Sequence, residues 1–74
     1  MLHLDKLQIN SHATIVAFTE ESTEQQRLVS LGFTIGSEVK ILRKIHSGHM
    51  IHCRIKNTEF AIRKSTASKI LCKK

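Results

Sequence analysis

The 74-residue chain contains no proline, no tryptophan and no tyrosine, and only three phenylalanines. Each shortage excludes something. Proteins that hold single-stranded nucleic acid stack bases on exposed aromatic rings, and grooves for proline-rich peptides are lined by such rings. Phe33 and Phe60 occupy positions that commit them to a core, so both ligand classes are disfavoured. Without proline the chain lacks one common means of blunting sheet edges, and closure of the sheet is the expected remedy. The two cysteines, Cys53 and Cys72, are too few for a disulfide framework, and reduced thiols are expected, with a single Cys53–Cys72 bridge as the alternative. No apolar run approaches the ~20 residues of a membrane span, and the N-terminal MLHLDKLQIN lacks a signal peptide's basic-then-apolar order. These absences together point to a cytoplasmic protein.

What is present fits one small domain. At this length only about 60% of the unfolded surface is buried, so the core is thin. Twelve Lys and Arg against six Asp and Glu leave a net charge of +6. That balance favours an anionic partner or surface as well as solubility.

The chain is organised around residues 27–44, RLVSLGFTIGSEVKILRK. Leu28 and Leu31 share one face of a helix. Gly32 is placed to end that helix with a positive φ, and Phe33 to pack back on Leu28. Gly36 is the third residue of a turn over 34–37, where a type II turn wants glycine. Beyond it the period becomes two, with Val39 and Ile41 on one face and Glu38 and Lys40 on the other.

Elsewhere the pattern predicts a helical turn over 4–7, a strand over 12–18 and a connection over 19–21. A Ser22 capping box, with Gln25 reaching back, opens a helix over 23–31. Strands are expected over 38–45, 50–56, 59–64 and 69–72. They are joined by a hairpin loop over 46–49, a turn at Asn57-Thr58 and one capped turn over 65–68.

Leu28, Leu31, Gly32, Gly36 and Val39 at this spacing, with the later Phe60, Ile62, Arg63 and Lys64, resemble the FeoA family. Its members are small cytosolic proteins of bacterial ferrous-iron uptake. The likeness runs over residues 4–71. The family usually has Pro-Gly where this chain has Ile35-Gly36 and Ile9-Asn10, and proline and glycine in the hairpin at residues 46–49. Gly and Asn still permit the positive φ these turns need. The resemblance implies a mainly β fold, a small SH3-like β-barrel of about five strands with one short α-helix between strands one and two. It also implies an accessory role. The partner would be the FeoB-type transporter, met at its cytosolic GTPase domain or at the cytosolic mouth of its membrane part. Contact with the membrane would be made only through that partner.

No catalytic or nucleotide-binding signature is present, whether P-loop, G-x-G-x-x-G, G-x-S-x-G or H-E-x-x-H. Cys53 lies inward between Ile51 and Ile55, which makes an inert thiol. The reading is a non-enzyme without a cofactor. His46, His49 and His52 recur every third residue, but across a loop and a strand that spacing does not converge them on a metal. The more informative residues are cationic. Lys44, Arg54, Lys56, Arg63 and Lys64 fall on or beside exterior strand positions. With Leu42 and Met50 outward among them, they make an apolar centre with a basic rim, the anatomy of a modest protein interface. Two alternatives stand beside this reading: a small nucleic-acid-binding barrel using the same basic patch, and a metal-responsive module, because the FeoA fold also resembles the C-terminal module of iron-dependent repressors, with His46, His49 and His52 as the residues to test.

Overall fold

The computed structural model describes residues 1–20 and 22–74. Among them are strands β1 (Leu2–His3), β2 (His12–Phe18), β3 (Glu38–Ile45), β4 (Met50–Ile55), β5 (Thr58–Arg63) and β6 (Ile70–Lys73). Helix α1 is Thr23–Leu31, helix α2 is Lys64–Ala67, and a 3-10 turn covers Leu4–Lys6. All pairings are antiparallel, in the order β1-β6-β2-β3-β4-β5. The 19–21 connection expected before α1 ends on Glu21, which lies outside the described residues.

The expected closed barrel of about five strands with a single helix does not form. The sheet has six strands and is open, because β1 pairs only with β6 and β5 only with β4. Closure is blocked at both edges. β1 is two residues long and offers almost no ladder. The chain leaves β5 directly into α2, which packs on β5, β4 and the 3-10 turn and fills the space a closing pair would need. This helix stands where a single capped turn over 65–68 was expected. The hairpin between β4 and β5 also turns one residue earlier than expected, over Lys56-Asn57. It is Lys56, at φ 57, that takes the left-handed conformation.

Local chemistry accounts for α1. The Ser22 hydroxyl accepts the Gln25 amide at 3.1 Å, while Gln25 Oε1 has no hydrogen-bond partner among the described residues, so only half of the capping box is made. At the other end Gly32, at φ 120, donates to the Val29 carbonyl, and Phe33 donates to Leu28 at 2.9 Å. These are the paired bonds of a Schellman stop. The next turn is closed by Ser37 donating to Thr34 at 3.0 Å, with Gly36 at φ 94. A matching turn over 8–11 is closed by Ser11 donating to Gln8, with Asn10 at φ 71.

The core gathers Phe33, Ile15, Ile41, Ile51, Ile70 and Cys53, all fully buried. Phe33 meets the partly buried Phe60 edge-on, with ring centroids 4.8 Å apart. Both cysteines are buried and free. Of the α1 leucines only Leu28 is buried; Leu31 is 48% exposed beside a groove that the open sheet leaves under the helix.

Candidate functional site

The outward face of β3, β4 and β5 is set by register and by one irregularity. Lys40 lies opposite Arg54, and Arg54 opposite Glu59. Between Ile41 and Arg43 the β3–β4 register slips by one residue, leaving Leu42 unpaired. An extra residue on one strand reverses the alternation beyond it. Arg43 therefore faces His52 and Ile45 faces Met50 on the outer side, while Lys44 comes opposite Ile51 on the inner side.

This slip sorts the residues singled out in the sequence. Arg54, Met50 and Arg63 share the outer face with Lys40, Arg43 and His52. Lys56 sits exposed in the hairpin at the Arg54 end, where Lys40, Arg54, Lys56 and His12 border one open depression together with Glu38, whose carboxylate lies 3.4 Å from His12. Leu42 is half-buried at the slip. Lys44 leaves the outer face altogether, and its Nζ donates to the Asp5 carbonyl at 3.1 Å. Lys64 opens α2 and lies with His49 and Asp5 around the far end of the sheet.

The electrostatics of the outer face are one-sided. Lys40 and Arg54 are like charges directly opposite, an arrangement that disfavours a sheet. Neither they nor Lys56 belong to any salt bridge among the described residues. Glu59, opposite Arg54 and 3.9 Å from Arg43, offsets part of this charge. Arg43 also donates to His52 Nδ1 at 2.9 Å, which occupies that nitrogen's lone pair. His46 and His49 lie in the loop between β3 and β4. No group of three or more His, Cys, Asp or Glu is placed to hold a metal ion among the described residues.

Lys40 and Arg43 are the outer-face cations that sequence reasoning left out of the site. Strict alternation puts Arg43 inward. The signal for a slip was there in Ile41-Leu42-Arg43-Lys44, where two apolar residues and then two cations run together and cannot alternate.

The FeoA domain family matches residues 2–74. This chain belongs to it. The structure of a FeoA-like protein from Clostridium acetobutylicum superposes with a TM-score of 0.88 at 26% identity, covering 97% of this chain and 84% of that one. Iron(II) transport protein A from Clostridium thermocellum gives 0.91 at 28% identity, covering 97% of this chain and 44% of that one. A manganese-dependent transcriptional repressor shares the fold alone, with a TM-score of 0.86 at 15% identity over 96% of this chain and 40% of the repressor. No curated protein matches the chain in sequence. No helix among the described residues is long and apolar enough to cross a membrane.

Proposed function

We propose that this FeoA-family chain is a cytoplasmic accessory protein of ferrous-iron uptake. It docks on the cytosolic side of a FeoB-type transporter, at or beside its GTPase domain, and biases the nucleotide-driven cycle without chemistry of its own. It acts by binding one state of the transporter more tightly than another. The observation that supports this reading, once the family is known, is the cationic end of the outer face. Lys40 and Arg54 stand directly opposite each other beside Lys56, and none of the three makes a salt bridge among the described residues although Glu59 and Glu38 are neighbours, so an acidic surface on the transporter would add the missing pairings. Leu42, half-buried at the slip, and Met50, at the other end of β4 from Arg54, add apolar surface to the sheet.

The test is binding and GTP turnover of the transporter's cytosolic region with this chain added at saturation. Binding that weakens with salt, a changed turnover, and loss of both on Arg54→Glu/Lys56→Glu are expected. No change in binding or turnover refutes the reading.

A further inference from the structure

Residues 7–16, LQINSHATIV, and residues 33–42, FTIGSEVKIL, are two versions of one segment. Each has an isoleucine, then a residue that accepts positive φ, then a serine, and a second isoleucine four places on. Both fold alike. Ser11 donates to Gln8 at 3.1 Å as Ser37 does to Thr34 at 3.0 Å. The Asn10 amide donates to the Ile41 carbonyl at 2.7 Å, and the Gly36 amide to the Ile15 carbonyl at 2.8 Å. The amides of Ile41 and Ile15 return bonds to Ser11 and Ser37. Burial repeats residue for residue, from the buried Leu7 and Phe33 to the half-buried Val16 and Leu42. The register slips also fall at equivalent places, at Val16 and at Leu42.

A local two-fold axis through the Ala13–Val39 pair relates the two segments. In an antiparallel pair such an axis stands perpendicular to the sheet, so both segments place equivalent groups on the same side. The relation reaches the flanking strands. Thr14 lies opposite Lys73 as Lys40 lies opposite Arg54, which makes Lys73 the counterpart of Arg54 on the outer face.

The 34–37 turn borders the depression that holds Lys40, Arg54 and Lys56, and its tip, Ile35, is 67% exposed. By the same symmetry Ile9, 50% exposed, tips the matching turn at the opposite end of this face, on the side of Lys73. Between the two ends His12 and Glu38, themselves equivalent, lie 3.4 Å apart across the axis. A single exposed isoleucine is ordinary. Here two are held out on equivalent turns that gain nothing from a β-branched residue at that place, where proline is the favoured choice.

We propose that docking uses this whole two-fold face and not its Arg54 end alone. Ile9 and Ile35 are its apolar anchors, and Lys73 joins Lys40, Arg54 and Lys56 as its cations. The occupant is an acidic protein surface with an apolar recess at each end. This rests on the docking reading and extends it. An anionic lipid surface fits less well, because Glu38 stands exposed at the centre of the face, where a bilayer offers only like charge and a protein can set a donor against it.

Calorimetric titration of the transporter's cytosolic region with the full chain tests it. Ile9→Ser and Ile35→Ser, at exposed turn positions, should each weaken binding roughly tenfold with the thermal melt unchanged. Lys73→Glu should weaken it severalfold, although it lies two strands from Lys40. Val29→Ser, at an exposed apolar residue of α1 outside this face, should bind as wild type. Absence of wild-type binding removes the docking reading and this proposal with it. Wild-type binding that Arg54→Glu/Lys56→Glu abolishes, but that Ile9→Ser and Lys73→Glu leave intact, overturns this proposal alone. So does equal weakening by Val29→Ser, or sedimentation of the wild type with phosphatidylglycerol vesicles that Ile9→Ser/Ile35→Ser abolishes.

Discussion

The amide of Phe33 donates to the carbonyl of Leu28 at 2.9 Å, so the residue that leaves α1 is tied to the helix's one buried leucine. Both side chains enter the core from that corner. The corner requires Gly32 at φ 120. A Cβ built on Gly32 would meet nothing within 4 Å, so any cost of substitution is a backbone cost. Gly32→Ala should lose about 1–3 kcal/mol in urea unfolding, and Gly32→Asn less, because asparagine tolerates positive φ better.

The two ends of the half-made capping box should respond with opposite sign. Ser22→Ala removes the acceptor of the Gln25 amide and should cost about 1 kcal/mol. Gln25→Leu removes a buried oxygen that has no partner, and should be neutral or stabilising. Thermal melts of the two variants check the pair.

Leu42 is the extra residue of β3. Leu42→Ala trims a half-buried side chain and should cost no more than about 1–2 kcal/mol. Deleting Leu42 removes the extra residue and leaves Arg43 next after Ile41, still opposite His52 on the outer face, so the deletion variant should fold and lose no more than about 1–3 kcal/mol. Urea midpoints of the two variants check this.

Alkaline pH should weaken the fold through its two thiols. Burial, with a smaller contribution from Cys72, pushes the Cys53 thiol from its ordinary 9.0 up to about 12, and burial raises Cys72 to about 11. Above about pH 9 the unfolded chain has ionised both thiols while the folded chain keeps them protonated. The folded state then binds more protons, so stability falls as pH rises. The thiols leave stability unchanged below about pH 9. From there to about 11 they remove about 1.4 kcal/mol per pH unit each, and Cys53 alone continues the loss toward about 12. Unfolding free energies of the wild type and Cys53→Ala at about pH 8 and about pH 10.5 test this. The variant should lose about half as much between the two.

Much of the fold was legible because its signals are local. Ser22, Leu28, Gly32 and Gly36 bound α1 and the turn after it with side chains and φ values that act within a few residues. Period-two alternation likewise located β2 and β3 and put Cys53 inward. The site was less legible. Arg43 and Lys44 trade faces because of a slip at Leu42 that no local preference demands. A similar slip at Val16 lets Ile15 and Phe18, three residues apart, pair with the buried Cys72 and Ile70. Sheet closure was misjudged for a related reason, since whether β5 meets β1 depends on α2, four residues with no helical period to read.

Chain chemistry by itself determined the helix-to-strand corner and the excess of positive charge, and the resemblance carried by Leu28, Leu31, Gly32, Gly36 and Val39 pointed to the family that the match over residues 2–74 shows. The corner follows from residue types at short spacing and the charge from a count. Only the tertiary structure decided that the sheet stays open and which cations share a face. Those outcomes depend on packing between residues far apart in the chain, where one extra residue in a strand, or one short helix at its end, redirects everything after it.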